Sequence, residues 1–261
     1  MGVGKKALLY IGLIILTIVW LIPFIWAITT SLKPGGGVYE LPPKLIFEPV
    51  LDNYLSLFHH YGFTQYLINS LIVGISSTIL CLALGLPAAY AFARFDFRGR
   101  EGIAKWILSL RMFPPIAVVI PFYLISKSTG LYGSLAAVIL IHTVFNLPFV
   151  IWLMIQFILD LPKDIEDAYI LDGYSRGQAF IKVTLPLSAP GLVTSALFAL
   201  IFSWNEYLFA LTLTFGDTKT LPVAITFFLR EYGLLWGELA AAVMITIVPV
   251  MIFALLIQRY I

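Results

Sequence analysis

The sequence is poor in charge, cysteine and histidine. Only 11% of its 261 residues are Asp, Glu, Lys or Arg, whereas soluble domains contain about 25%. The single cysteine, Cys81, lies in an apolar run, which excludes a disulfide framework and a cysteine-ligated metal cluster. His59, His60 and His142 have no cysteine or acidic partner at ligand spacing. We therefore predict no metal site in this chain.

Sequence signatures of catalysis and nucleotide binding are also missing. The chain contains no P-loop, no H-E-x-x-H and no G-x-S-x-G motif, so we predict no catalytic residues and no bound cofactor. The formal net charge of +2 argues against a nucleic-acid partner. Apolar residues, by contrast, make up 61% of the chain. This composition indicates an integral membrane protein.

Six apolar runs are long enough to cross a bilayer, which takes about 20 residues in a helix. They cover approximately 7–32, 66–93, 103–126, 134–158, 190–214 and 239–258. The first run is too long for the apolar core of a signal peptide and no small-residue cleavage site follows it, so we expect it to remain as a helix. We predict an all-α integral membrane protein whose six transmembrane helices form a single domain over residues 1–261.

Lysine and arginine are distributed unequally between the two sets of segments that flank these runs. Ten lie on one side and five on the other, and the richer side stays in the cytoplasm. This asymmetry places both termini and the polar segment 161–186 in the cytoplasm, with the Pro- and Gly-rich segment 33–65 outside. Within that outer segment, the spacing of the apolar residues between 54 and 61 predicts a short interfacial helix.

The cytoplasmic polar segment carries signals for two short helices. Pro162 suits the first turn of a helix, and Gly173 can end that helix in the left-handed conformation. Ser175 and Gln178 form an S-x-x-Q capping box that begins a second helix, which we expect to end before Pro186. The apolar residues on one face of the first helix are Ile165, Ala168 and Tyr169.

This segment resembles the cytoplasmic coupling loop of ABC importer permeases, the EAA loop. The family pattern is E-A-A-x-x-D-G-A, eight residues, then I-x-L-P, and its spacing is matched here without a gap. The matching stretches are Asp167-Ala168-Tyr169-x-x-Asp172-Gly173-Tyr174 and Val183-Thr184-Leu185-Pro186. The residues that depart from the pattern are Asp167, Tyr169, Tyr174 and Val183. The stretches 66–100, 111–121 and 203–214 are similar to the sugar-importer branch of the same family.

The resemblance implies the type I ABC importer permease fold and a transport subunit that is not an enzyme. It also implies a second, homologous permease subunit, two ATPase subunits that bind ATP and Mg²⁺, and an extracytoplasmic sugar-binding protein. Members of the sugar branch usually continue into a short Gly-containing tail, whereas this sequence ends at Ile261. The residues that the resemblance assigns to coupling with the ATPase are Glu166, Asp167, Ala168, Tyr169, Asp172, Gly173, Leu185 and Pro186.

Polar residues inside the apolar runs are candidates for a substrate path. Arg111 shares the third run with three prolines, and charge and freed carbonyls are tolerated in lipid where they face protein or water. That run is therefore predicted to line the path or to bend. Aromatic and acceptor side chains that suit a sugar occur together in the fifth run, at Trp204, Asn205, Glu206 and Tyr207. Asn69 and Asn146 are weaker candidates.

Each of these residues also has a structural interpretation. Arg111 could extend its charge to the cytoplasmic interface, and Glu206 could serve in a contact between helices. If both runs were straight helices, the two charges would differ in depth by about 12 Å, so we predict that they do not pair.

The function predicted is the membrane subunit of an ATP-driven importer for a sugar, such as an oligosaccharide or a glycerol derivative, in the cytoplasmic membrane. Closure of the ATPases would drive alternating access through residues 161–186. An ion-coupled secondary transporter is the alternative, but it should show several intramembrane acids or inverted repeats, and one deep acid is present. A non-sugar ABC permease also fits the sequence, whereas an intramembrane enzyme would need a catalytic constellation. The sequence does not identify the sugar.

Overall fold

The computed structural model describes residues 3–230 and 235–258, and within those ranges it contains helices and loops but no β-strand. The α-helices are α1 (Val3–Ser31), α2 (Asp52–His59), α3 (Phe63–Arg94), α4 (Arg100–Ser109), α5 (Pro115–Ser128), α6 (Leu135–Leu159), α7 (Lys163–Leu171), α8 (Arg176–Ala179), α9 (Leu185–Leu187), α10 (Ala189–Trp204), α11 (Leu208–Leu213), α12 (Leu221–Ile225), α13 (Phe227–Arg230) and α14 (Trp236–Ile257). Short 3-10 turns cover Leu110–Met112 and Gly216–Thr218, and a π-helical turn covers Phe180–Thr184.

Four helices, α1, α3, α6 and α14, are long and apolar enough to cross a membrane. Two pairs of helices, each bent at a short break, bring the number of spans to six if each pair is one span. Arg100–Met112 meets Pro115–Ser128 at 92°, and Arg176–Leu187 meets Ala189–Trp204 at 77°. The all-α membrane fold predicted from the sequence is confirmed, and so is the bend in the third run.

The bend in the third run follows from its prolines. Phe113 and Pro114 are both extended, with ψ of 126° and 124°, because a residue that precedes proline is pushed out of the helical region. Pro115 then begins α5, where its missing N–H costs no hydrogen bond. The continuous span predicted for 103–126 is therefore two helices at an angle.

The fifth run is also discontinuous. The predicted span 190–214 is wrong as one helix, because α10 ends at Trp204 and α11 begins only at Leu208. A second bend precedes α10 at Ser188, whose ψ of 10° takes it out of the helix. Residues 205–207, between α10 and α11, form a short irregular link.

The chain divides into two compact units, residues 1–64 with 224–249 and residues 65–223 with 250–261. The single domain predicted over 1–261 stays a prediction. The candidate site described below lies in the second unit.

In the first unit, the outer segment is irregular up to α2, and α2 is the short helix predicted there. The Asn53 side-chain amide donates to the carbonyls of Ser31 and Lys33 at 2.9 and 2.8 Å. A Cβ at Gly237 would lie 2.5 Å from Asn53 Oδ1, so glycine permits this close approach. The buried amide thus fixes the chain as it leaves α1.

The core of the second unit lies where α3, α6 and α10 meet. A Cβ at Gly85 would come within 2.9 Å of Val150 Cγ1, and one at Gly191 within 2.3 Å of Phe157 Cγ. Small residues thus let these helices approach closely, as packing in lipid requires. The buried residues of this core are Cys81, Ala89, Tyr90, Ala93, Val150, Ile151, Met154, Ile155, Ile158 and Ala199.

Candidate functional site

A cavity of about 310 Å³ lies in the second unit, among segments that are far apart in the sequence. It combines aromatic rings with a guanidinium, an imidazole, an amide and a carboxylate. A few polar groups among apolar and aromatic walls are typical of small-molecule sites. The lining residues are Arg111, Phe113, Pro115, His142, Phe145, Asn146, Phe202, Glu206 and Phe209.

Arg111 reaches this cavity from the bend of the third run. Its Nη1 donates to the Phe145 carbonyl at 2.8 Å and to Asn146 Oδ1 at 3.0 Å. Its guanidinium carbon lies 4.3 Å from the centre of the Phe202 ring, a cation–π contact. The charge is therefore held at the wall of the cavity by α6 and α10.

Glu206 lies in the break between α10 and α11, where three donors hold its carboxylate. Oε1 accepts from the backbone N–H of Phe209 at 2.9 Å, and Oε2 accepts from that of Ala210 at 3.1 Å. These N–H groups begin a helix and have no partner within it. The third partner is His142, whose Nε2 lies 3.0 Å from Oε2. The carboxylate thus caps the first turn of α11, and Glu206 lines the cavity.

A chain of buried hydrogen bonds connects α3 to this carboxylate. Ser77 Oγ donates to Ser203 Oγ at 3.0 Å, and Ser203 Oγ lies 2.7 Å from His142 Nδ1. Every atom is satisfied when Ser203 donates to Nδ1 and the Nε2 proton of His142 points to Glu206. The chain therefore couples three helices to one edge of the cavity.

A serine, a histidine and a glutamate in contact also compose a catalytic triad, but this set is not arranged for acyl transfer. Ser203 is buried, at 5% exposure, and its Oγ already bonds Ser77. A nucleophile must instead be open to the substrate. Within residues 3–230 and 235–258, no group of three or more His, Cys, Asp or Glu could hold a metal ion.

The residues that flank Glu206 lie outside the cavity lining. Trp204 is buried at 2% exposure. Asn205 is exposed and donates from Nδ2 to the Ile201 carbonyl of its own helix at 2.9 Å. Tyr207 is half-buried. Contact of these three with a substrate stays a prediction.

Of the two weaker candidates for the substrate path, one lines the cavity and the other does not. Asn146 lines the cavity and accepts from Arg111, whereas Asn69 donates from Nδ2 to the carbonyls of Asp217 and Lys219 at 2.7 and 2.8 Å. Asn69 thus fixes the loop that precedes α12.

The depth argument that separated Arg111 from Glu206 is wrong. Both side chains line one cavity, because neither run is the straight helix that the argument assumed. Their partners nevertheless differ, since Arg111 bonds the Phe145 carbonyl and Asn146, whereas Glu206 bonds His142. The absence of a direct pair between the two charges stays a prediction.

Residues 161–186 form the two short helices that the sequence predicts. Pro162 precedes α7, and Gly173 follows it with φ of +93°, in the region that only glycine adopts at little cost. Ser175 and Gln178 make both bonds of the capping box, at 3.3 and 2.8 Å. The predicted end before Pro186 is wrong, because the π-helical turn continues into α9, where proline occupies the first turn.

The two faces of α7 differ. Glu166 is buried and pairs with Arg94, with 2.7 Å between Oε1 and Nε. The opposite face is open, with Leu171 87% exposed. Tyr169 and Tyr174 stack at 4.3 Å between ring centres and stiffen the turn at the end of α7. Exposed residues of the segment include Ile165, Asp167, Ala168, Asp172, Gly173 and Pro186, whereas Leu185 is half-buried.

Comparison with protein families gives one match, "binding-protein-dependent transport system inner membrane component", over residues 82–261. The chain is 38% identical over 246 residues to a probable ABC transporter permease, y4oR, of Sinorhizobium fredii, covering 94% of this chain and 88% of that protein. It is 39% identical to the trehalose transport system permease SugB of Mycobacterium tuberculosis, covering 92% and 88%. It is 34% identical to the trehalose/maltose transport system permease MalG of Thermococcus litoralis, covering 98% and 94%.

Among the solved structures that share the fold, two illustrate the range of similarity. A chain of the crystal structure of a bacterial ABC transporter that imports alginate superposes with a TM-score of 0.83, at 24% identity, over 100% of this chain and 98% of that one. A chain of the MetNI methionine ABC transporter in an inward-facing conformation superposes with a TM-score of 0.62, at 19% identity, over 76% and 95%. These likenesses describe the fold alone.

Proposed function

This chain belongs to the family of binding-protein-dependent transport system inner membrane components, and on that premise we propose that it is the membrane-spanning subunit of an ATP-driven importer for a sugar. The relatives at 39% and 34% identity are named for trehalose and for trehalose or maltose. A disaccharide of this kind is the substrate class that we assign to the importer.

The observation that carries this proposal is the two-faced segment 161–186. Its inner face is tied to the chain through Glu166, and its outer face exposes Asp167, Asp172 and the side chain of Leu171. An exposed apolar side chain with carboxylates on the same segment could bind in a protein cleft that has basic residues at its rim. We assign that cleft to an ATPase subunit.

The cavity around Arg111 and Glu206 is the part of the substrate path that this subunit contributes. A sugar has hydroxyl groups at its edge and apolar ring faces. The guanidinium and the carboxylate can bond the hydroxyls, and Phe145, Phe202 and Phe209 supply flat apolar surfaces. Each group lies at a break in its span, Arg111 in the 3-10 turn before α5 and Glu206 in the link between α10 and α11.

The remaining components complete the transporter. Two ATPase subunits bind ATP and Mg²⁺ and carry out hydrolysis, a second homologous permease completes the path, and an extracytoplasmic protein delivers the sugar. This chain itself binds no cofactor and catalyses no reaction. It resides in the cytoplasmic membrane with both termini inside.

The energy source tests this function against the ion-coupled alternative. In proteoliposomes that hold the purified transporter, uptake of radiolabelled trehalose or maltose should require enclosed ATP and should persist when ionophores collapse all ion gradients. An ion-coupled carrier would show the reverse pattern. Uptake that stops with the gradients and ignores ATP would refute the proposal.

The orientation can be tested with single cysteines. Cys81 is fully buried and is first replaced by serine. Lys44→Cys, in the exposed outer segment, should react with a membrane-impermeant maleimide in intact cells, whereas Arg98→Cys should react only after permeabilisation. Equal reaction of both cysteines in intact cells would contradict the assigned topology.

A further inference from the structure

The ion pair between Arg94 and Glu166 ties α7 to the last residue of α3. Both side chains are almost fully buried, at 6% and 5% exposure. Arg94 also donates from Nη2 to the Leu161 carbonyl at 3.1 Å, and the Tyr90 hydroxyl donates to Glu166 Oε2 at 3.1 Å. Each charge is thus paired and further hydrogen-bonded, and separating them would leave an uncompensated charge in the interior.

The second short helix is held to the same end of α3. The Phe180 ring lies 4.8 Å from the Tyr90 ring, centre to centre. The guanidinium carbon of Arg176 lies 5.3 Å from the centre of the Phe95 ring, one residue beyond α3. Both halves of the segment 161–186 are therefore fixed to one helix end.

We propose that Arg94, Glu166 and Tyr90 form a clamp through which this segment and the adjoining end of α3 move as one rigid body during transport. The inference rests on the proposed docking of an ATPase on the exposed face of α7. A displacement applied to that face passes through the clamp into α3, because the clamp is the buried contact on the opposite face. Glu166 is then a positioning residue rather than a contact with the ATPase.

Helix α3 also connects the clamp to a hydrogen-bonded chain that reaches the cavity. Ser77, on the same helix, begins the hydrogen-bonded chain that passes through Ser203 and His142 to Glu206. A shift of α3 would therefore reach the carboxylate at the cavity wall. The clamp joins the docking face to the substrate path through one helix.

The test replaces the ion pair by a covalent bridge in the complete transporter. In the Cys81→Ser background, Arg94→Cys is combined with Glu166→Cys, which removes both buried charges together. Sugar uptake per ATP hydrolysed should fall roughly fivefold or more while the ATPase subunits stay bound. Bridging the two cysteines with a bifunctional thiol reagent should then restore most of the lost coupling, because a rigid link replaces the clamp.

A matched control uses an exposed ion pair, Glu101 with Lys105, whose side chains are 78% and 79% exposed. The corresponding cysteine pair should show unchanged coupling with and without the reagent. The proposal is overturned if the unbridged 94/166 pair couples normally, if bridging leaves uptake low, or if the ATPase dissociates from the unbridged pair. Dissociation would mean that the contact shapes the docking surface instead of transmitting movement.

A second variant keeps the proposal testable if the double cysteine mutant does not accumulate in the membrane. Glu166→Gln keeps the size and an acceptor for Arg94, so it should insert and bind the ATPase, but coupling should still fall. Normal coupling in this variant also overturns the clamp. Failure of the docking role itself is recognised separately, because Gly173→Val would then keep both the ATPase subunits and normal sugar uptake.

Discussion

Replacing Glu206 with leucine should nearly abolish sugar uptake. Leucine removes the acceptor for His142 Nε2 and for the backbone N–H groups of Phe209 and Ala210. A buried donor left without an acceptor costs about 1–3 kcal/mol. Leucine also cannot accept from the sugar hydroxyls that we assign to this carboxylate, and a combined loss of about 2.8 kcal/mol corresponds to a roughly hundredfold fall in uptake at limiting sugar concentration. Initial rates of labelled sugar uptake, normalised to protein in the membrane, measure this effect.

Glu206→Gln is the informative comparison, because it keeps the size and one acceptor oxygen. Its amide can donate to His142 if the imidazole changes tautomer, so the loss should be about tenfold or less. Asn205→Ala, one residue earlier, should cost much less, since Asn205 is exposed and bonds only its own helix among the contacts found. If Glu206→Leu takes up sugar like the unaltered protein, the cavity is not part of the path.

The helices could be predicted from the sequence wherever local chemistry decides the structure. Apolar runs of sufficient length gave α1, α3, α6 and α14 to within a few residues. The S-x-x-Q box correctly predicts where α8 begins, and Gly173 correctly predicts where α7 ends, because capping and left-handed turns depend on neighbouring residues. The resemblance to ABC importer permeases is confirmed by family membership.

The cavity could not be predicted, because it depends on contacts between distant segments. The prolines predict a bend in the third run, but neither its 92° angle nor the contact of Arg111 with α6 follows from neighbouring residues in the sequence. The sequence places no acid near His142. Its partner Glu206 is 64 residues away. One signal was available, because His142 and Asn146 are four residues apart and share a face of one helix.

The orientation of α7 could not be predicted either. Ile165 and Ala168 form the apolar stripe, which usually faces a protein's own core, yet both are exposed. Glu166 is buried instead, since Arg94 and Tyr90 neutralise and bond its carboxylate. No local rule identifies such a partner 72 residues away.

Gly173→Val should release the ATPase subunits or uncouple them from transport. The native φ of +93° is strained for any residue with a Cβ, by about 1 kcal/mol or more, and most for a β-branched one. No atom lies within 4 Å of the added Cβ, so the effect acts through the backbone and not through a clash. Valine should therefore rotate α7 away from its docking position while the spans still insert.

Gly177→Val is the matched control, four residues further along the same segment. Gly177 is helical, without a left-handed φ, and a Cβ there would meet only Ser175 Oγ at 4.0 Å. This variant should retain as much ATPase subunit as the unaltered transporter and should take up sugar at a similar rate.

The most direct test of the account is the amount of ATPase subunit that co-purifies with the chain from solubilised membranes. The unaltered chain and Gly177→Val should retain it, and Gly173→Val should retain roughly a tenth or less, or should retain it while hydrolysis proceeds without uptake. If Gly173→Val keeps both the ATPase and normal sugar uptake, residues 161–186 are not the coupling element and the account is contradicted.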